Sequence, residues 1–423
     1  MNMLSRKWVL VSSFRCLANG KSEGYSGYKW LEMISKFHDV TLLTADETSV
    51  PDGVRLFRPS ELFSFKNKLL RRMNGEISFD YYRFDWASGK KMALCIGEYD
   101  LVHQVVPMAP RYSSSVGVLG KKFILGPIGG GQRVPPIFRK EVEGNEEWFL
   151  KLRLLDRLRL EYDPFLRKTY HAADMILLVG RFMLGLIPEE FHGKCRFMLE
   201  TGIDAASYRP FERPDGNDGN VLNLLYVGRV VPYKGLIYAL RALAGLLADE
   251  KRAVRFWVIG DRGESAYLTA CKKLVITSGL ASVVEFLGFK NKEEIVNYYQ
   301  RADLFVFPSL AEAGGNVLLE AMACGCPALI ANCGGPSEIV TEDSGYLIEP
   351  KDPEYLIDEM TRVIRSLIGH RDRLAGMRRE ARKVIEQKFD WSRKGLVMEE
   401  WYREVIEGPK YGNAGDVTCR VGK

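Results

Sequence analysis

Nowhere among the 423 residues does an apolar run approach the ~18 positions that a membrane-spanning helix needs. The amino terminus places basic residues ahead of an apolar stretch, but only Trp8 to Val11 are continuously apolar before Ser12 and Ser13. That is too short for the core of a secretion signal and reads as a first buried strand. The 8 cysteines lack regular spacing, which argues against a disulfide framework and suits free thiols in a reducing cytoplasm. Cys324, Cys326 and Cys333 lie close together, yet their spacing fits no usual zinc pattern. Small buried thiols are the simpler reading, and neither a metal nor a cofactor is expected. Charge imbalance is slight: a formal net charge of +6 permits an anionic ligand or an acidic membrane surface and implies no nucleic acid. Two nucleotide motifs are also missing. There is no Gly-x4-Gly-Lys-Ser/Thr loop, and the first βα turn of neither half carries Gly-x-Gly-x-x-Gly.

A hydrophobic content of 46% and a charged content of 27% fit a globular chain long enough for two domains. Short apolar runs alternate with amphipathic stretches, the pattern of parallel strands joined by helical crossovers. Strands are predicted at 8–12, 39–44, 101–106, 122–126 and 175–180, with a helix from Gly27 to Phe37 behind the first. Residues 209–220, "RPFERPDGNDGN", collect proline, glycine and charge and read as a linker. The pattern then restarts at 221–228, 254–260, 283–288, 303–308 and 327–331. Two doubly wound sheets with a ligand cleft between them follow from this order. The expected division is 1–208, a linker at 209–220, a second domain at 221–390, a helix at 391–407 and a peripheral tail at 408–423.

Two constellations fall at strand ends. In "EAGGNVLLEAMACGCP", Glu312 follows the strand "DLFVFP" and Glu320 lies inside the next helix. Gly314 and Gly315 let the backbone approach a ligand, Asn316 is a candidate N-cap, and Cys324-Gly325 with Pro327 stops the helix. The amides at such a helix start favour an anion, with phosphate the natural candidate. In "YVGRVVPYKGL", Arg229 offers a two-pronged guanidinium and Lys234 a mobile point charge, enough together to neutralise a diphosphate.

These motifs resemble those of the family 4 retaining glycosyltransferases, bacterial glycosyl transferases of group 1. Glu312 and Glu320 match the family's pair of glutamates separated by seven residues, and "GRVVPYKG" matches its Gly-Arg-x4-Lys-Gly phosphate loop. The stretch from Phe286 to Val340 resembles the family core almost end to end. "SEGYSGYKW" (22–30), "GPIGGGQ" (126–132) and "DPFLRKT" (163–169) look like one bacterial subgroup, and "TGID" (201–204) carries Thr201 where the family has asparagine. The resemblance implies a GT-B fold: two Rossmann-like domains facing a central cleft, the donor held by the second and the acceptor largely by the first. The helix at 391–407 is then expected to cross back to the first domain.

By position, the resemblance assigns Arg229 and Lys234 to the donor diphosphate and Glu320 to the ribose hydroxyls. Glu312 and His103 are placed near the reacting sugar, and backbone amides of Gly314, Gly315, Asn316 and Val317 against sugar and phosphate. Phe289 and Lys290 edge the base, and amides of Gly24 and Gly27 lie beneath the diphosphate. The implied reaction moves a hexose-type sugar from a nucleoside-diphosphate sugar to a sugar, lipid-linked or glycan hydroxyl, without a metal, in bacterial surface polysaccharide or glycolipid assembly. Gly-Phe-Gly after the first glutamate is common in the family; here Ala313-Gly314-Gly315-Asn316 stands instead.

Each assignment has a plainer alternative: Arg229 and Lys234 as surface charges, Glu320 paired within its helix, His103 as a satisfied core histidine, "GPIGGGQ" as a turn. The function has alternatives as well, namely a GT-B epimerase or phosphorylase, or a two-lobed sugar-binding protein. Finally, 63–75 and 148–160 interleave Lys and Arg with large apolar residues, as helices on anionic lipid do, or as amphipathic helices packed on a sheet do. The expected location is cytoplasmic, with a peripheral place on the inner face of the plasma membrane if lipid is contacted.

Overall fold

The computed structural model describes residues 6–19, 23–59, 79–130, 132–142, 156–210, 221–260, 263 and 265–408. The stretch 63–75, most of 148–160, residues 211–220 of the expected linker and the tail from 409 lie outside them. The chain forms two compact units: Met1–Gly131 with Glu146–Glu200 and Lys394–Lys423, and Gln132–Asn145 with Thr201–Arg393.

The first unit is built on seven strands: β1 (Trp8–Ser13), β2 (Asp39–Leu43), β3 (Arg55–Phe57), β4 (Leu101–Val106), β5 (Lys122–Ile128), β6 (Met175–Leu178) and β7 (Cys195–Phe197). They pair in the order β3-β2-β1-β4-β5-β6-β7, every pair parallel. Val9, Leu10, Val11, Leu101 and Val102 are fully buried, as expected of parallel strands covered on both faces. Crossover helices α1 (Glu23–Ser35), α2 (Phe79–Met92), α3 (Asp156–Tyr162) and α4 (Pro164–Ala172) accompany the sheet. Pro164 opens α4 and the Asp163 carboxylate accepts from the amides of Phe165 and Leu166, a proline-initiated, acid-capped helix start. Helix α1 begins a turn earlier than its predicted start at Gly27.

The second unit repeats the plan with β8 (Leu222–Val227), β9 (Val254–Ile259), β10 (Val284–Gly288), β11 (Leu304–Phe307), β12 (Ala328–Ala331) and β13 (Gly345–Ile348). The order is β10-β9-β8-β11-β12-β13, again parallel throughout. Sequence order therefore reverses at the β8/β11 pair, the switch point where open α/β sheets bind ligands beyond the strands' carboxyl ends. Helices α5 (Leu236–Ala244), α6 (Ala266–Thr277), α7 (Lys292–Arg301), α8 (Asn316–Ala323), α9 (Pro353–Gly369) and α10 (Asp372–Val384) follow. Leu236, Leu240 and Leu243 of α5 join Leu356, Met360 and Ile364 of α9 in one core with Leu224 and Val306.

The units depart from the expected 1–208 boundary for physical reasons. Residues 201–208 are bonded into the second unit: the Ile203 amide donates to Phe389 and its carbonyl accepts from Trp391. Residues 132–142 join it as well, since Phe138 packs edge-on against Tyr238 at 5.5 Å and Glu141 accepts from the Tyr238 hydroxyl at 3.0 Å. The final helix, α11 (Trp391–Glu407), starts among residues of the second unit and from Lys394 belongs to the first.

Candidate functional site

The loop leaving β8 is held by its own tyrosines. The Tyr226 hydroxyl donates to the Arg229 carbonyl at 2.8 Å, and Arg229 Nη2 donates to the Tyr233 hydroxyl. A single 3-10 turn, Pro232–Lys234, leads to Gly235 at φ 73°, which opens α5. A side chain there would be strained, and its Cβ would collide with the Pro308 carbonyl oxygen. That close approach brings the β8 loop against the β11 loop. The Leu310 amide donates to the Tyr233 carbonyl at 2.9 Å, and the Lys234 ammonium lies 5.3 Å from the Phe307 ring centroid.

Across this junction Lys234 Nζ donates to Glu312 Oε2, with 13% and 18% of the two side chains exposed. The Glu312 carbonyl accepts from the Gly335 amide at 3.0 Å. Gly315 at φ 71° caps α8 with its backbone alone. Asn316, expected as the cap, is instead the first helical residue, and its Oδ1 accepts from the Thr201 hydroxyl at 2.7 Å. The amides ahead of Leu318 precede the first helical hydrogen bonds, so the start of α8 retains donors and the positive end of its dipole. Arg229, Lys234, Glu312 and the Gly314–Val317 backbone therefore share one edge of the second unit, at its switch point.

Glu320 sits one turn into α8. Its Oε1 accepts from the Tyr208 hydroxyl and its Oε2 from the Tyr299 hydroxyl, each at 3.0 Å. Burial raises its pKa, while the two phenols and the nearby Lys292 lower it. Phe289, at the end of edge strand β10, is 54% exposed. Lys290 pairs with Glu294 at 3.2 Å, and Glu294 also completes the cap of α7.

The three remaining expected residues lie in the first unit, and two do not fit their expected roles. His103 is fully buried on β4. Its Nε2 lies 2.7 Å from the Gly126 carbonyl and its Nδ1 2.6 Å from the Tyr402 hydroxyl. A carbonyl only accepts, so Nε2 carries the proton and Nδ1 accepts from Tyr402. Both nitrogens are used inside the core, and burial lowers the pKa to about 4. The expected contact with a sugar is corrected: His103 is a neutral core residue. Gly27 is the fifth residue of α1, so its amide falls within the helical bonding pattern. A Cβ there would come within 3.2 Å of Val106 Cγ2 and closer still to Ser13 and Arg15, so Gly27 serves helix packing. Gly24 keeps a first-turn position, its carbonyl accepting from the Leu17 amide at 2.9 Å. Among the described residues, no group of three or more His, Cys, Asp or Glu is arranged to hold a metal ion.

Tyr208 and Tyr299 bond Glu320, Tyr233 bonds Arg229 and Thr201 bonds the Asn316 side chain, and sequence reading did not single them out for this. Tyr233 and Tyr299 stand inside the quoted motifs; their hydroxyl partners carried no signal in the spacing.

Residues 210–384 match the family model described as glycosyl transferases group 1. That segment of the chain is similar to the glycosyl transferases of group 1. A D-inositol 3-phosphate glycosyltransferase of Rhodococcus jostii is 32% identical over 225 residues, covering 51% of this chain and 49% of that protein. The chain thus spans about half the length of the curated relative it matches. Among solved structures, a glycosyltransferase from Rickettsia africae superposes with a TM-score of 0.62 at 16% identity, over 96% of this chain and all of that one. An Anabaena protein, HepE, solved with UDP and glucose, gives 0.55 at 17% identity, over 94% and 100%. The two parallel sheets are those of the GT-B fold, and the segment matched by the group 1 model contains Arg229, Lys234, Glu312 and Glu320.

Proposed function

We propose that the protein is a retaining glycosyltransferase that moves a hexose-type sugar from a nucleoside-diphosphate sugar to a hydroxyl acceptor. One observation carries the proposal: Arg229, Lys234, Glu312 and the start of α8 meet at the β8/β11 switch point. Breaking the anomeric C–O bond leaves the electron pair on the departing diphosphate and positive charge on the sugar. Arg229, Lys234 and the α8 amides stabilise the first. Glu312, paired with Lys234, stabilises the second and orients sugar hydroxyls. The acceptor oxygen attacks on the face the phosphate leaves, and its proton passes to a phosphate oxygen, so no nucleophile on the protein is required. Glu320 takes the ribose hydroxyls, and Phe289 and Lys290 edge the base. Two fixed cations do the work a divalent metal does elsewhere, so the reaction proceeds in EDTA.

Relatives named as glycosyltransferases, and UDP with glucose in a protein of the same fold, support the donor class. The acceptor is a sugar, lipid-linked or glycan hydroxyl in bacterial surface polysaccharide or glycolipid assembly, reached from the cytoplasmic side of an anionic membrane. Incubation with UDP- and GDP-hexoses and chelator tests this, with donor hydrolysis and transfer followed by NMR of the product anomer. Arg229→Ala and Lys234→Ala each lower kcat/KM by about 10²- to 10³-fold. Full activity in both variants, or an inverted anomer, defeats the mechanism.

A further inference from the structure

The segment "GPIGGGQ" (126–132) is left unused by the transfer mechanism. Its last residue, Gln132, opens the stretch 132–142 that belongs to the second unit. Packing anchors this stretch: Val134 and Phe138 are buried in the second unit's core, and the short helix Arg139–Val142 lies against the Pro232–Lys234 turn. Gln132 itself lies at the loop that carries Glu312. There the Gly335 amide donates to the Glu312 carbonyl at 3.0 Å, and only glycine permits so close a stacking of two loops. A Cβ at Gly335 would strike the Ala313 carbonyl oxygen, and one at Gly334, where φ is 64°, would sit 2.3 Å from the Glu312 carbonyl oxygen and 3.4 Å from Gln132 Cγ. The Gln132 side chain is therefore a neighbour of the Glu312 backbone.

Gln132 is half-buried. Its Nε2 is fully buried, and among the described residues that nitrogen has no hydrogen-bond partner. A buried donor left unpaired is costly, so one held in place by its neighbours asks for a role. The terminal torsion of glutamine is broad and roughly two-fold, and with nothing accepting from the nitrogen the amide turns either end toward a ligand at the exposed part of the side chain. A hydroxyl both donates and accepts, so it meets either end. Charge decides which part of the donor this is. Arg229, Lys234 and the α8 amides suit the diphosphate, whereas a neutral carboxamide beside Glu312 suits a neutral polyol; a few polar groups of this kind fix a ligand's orientation in its pocket. We infer that Gln132 is a specificity-determining residue for the donor hexose: its carboxamide bonds one hydroxyl of the sugar at Glu312 and selects the hexose, leaving the choice of nucleotide to other residues.

The inference rests on the donor reading above, and the experiment separates the two. Calorimetric titration of the full chain with UDP and GDP, and with their glucose, galactose and mannose conjugates, gives the ratio of the bare diphosphate's Kd to that of each nucleotide sugar. Gln132→Met keeps the length of the side chain and its packing on Gly334, and removes its hydrogen bonds. For the hexose the wild type binds best, the ratio falls about five- to tenfold in the variant, while UDP or GDP alone binds as before. The 2-, 3-, 4- and 6-deoxy forms of that hexose are the second arm. One of them costs the wild type the same factor and costs Gln132→Met nothing, because a site built around a substrate hydroxyl loses most when that hydroxyl is missing. A residue that only packs would weaken bare and sugar-bearing nucleotides together. That result overturns the inference, as does an unchanged ratio or a set of deoxy forms that cost variant and wild type alike. Failure of the wild type to bind any of these nucleotides overturns the donor assignment itself, and the inference with it.

Discussion

His103 shows how much a single side chain's surroundings decide. Its neutral tautomer is locked between the Gly126 carbonyl and the Tyr402 hydroxyl, and burial holds its pKa at about 4 against an ordinary value of 6.5. The unfolded chain therefore binds a proton that the folded chain refuses between those values. Stability is fully present above about pH 6.5 and is lost as pH falls toward 4, by on the order of 3 kcal/mol for this residue. His38, also shifted down by burial while paired with Glu399, adds in the same direction. Denaturant unfolding between pH 4 and 7 shows this slope in the wild type and a shallower one in His103→Gln. Identical slopes would return His103 to a solvent-reached position. "LVHQ" announced a histidine at a strand end; only the fold shows that both nitrogens are already taken.

Among the elements, α8 was the most legible and also the most instructive. Its stop at Cys324-Gly325 could be read from the sequence because a left-handed glycine ends a helix locally, and Gly325 has φ 74°. Its start could not, because Asn316 is drawn away by Thr201, more than a hundred positions back in the chain. Short edge strands such as β3, whose three residues are largely exposed, left no periodicity to find. If Thr201 positions the amides at the start of α8, Thr201→Val leaves the Asn316 carbonyl unpaired and lowers kcat about fivefold, with donor KM little changed and Thr201→Ser restoring it. A KM rise with constant kcat would place Thr201 in binding alone.

Helix α2 adds a second prediction at this scale. Phe79, Arg83, Trp86 and Lys90 recur at helical spacing and are all exposed, Trp86 at 63%, with the Lys90 ammonium 4.5 Å from the Trp86 ring centroid. Such a stripe suits the interface of an anionic bilayer. Flotation with vesicles containing anionic phospholipid should recover the protein at low salt and release it at high salt, with Trp86→Ser weakening recovery severalfold. No recovery at low salt removes the membrane from the proposed function.

At the scale of the whole chain, the same doubly wound order occurs twice, yet the two switch points carry different chemistry. At the end of β1 the polar groups close on themselves: Asp46 accepts from the Cys16 amide at 2.8 Å and from Arg15 at 2.7 Å. At the end of β8 the cations are aimed by tyrosines and by Glu312 along one edge. The repeat was legible because parallel strands buried on both faces are written as continuous apolar runs; the functional asymmetry lies in loop partners far apart in sequence. It predicts where a diphosphate stabilises the protein. UDP or GDP at about a hundred times its Kd adds ~2.7 kcal/mol by mass action, seen as a raised Tm. The double variant Arg229→Ala/Lys234→Ala loses that rise, while Arg15→Ala, which removes a cation at the other switch point, keeps it. The reverse pattern would move the anion grip to the first unit and dismantle the mechanism built on the second.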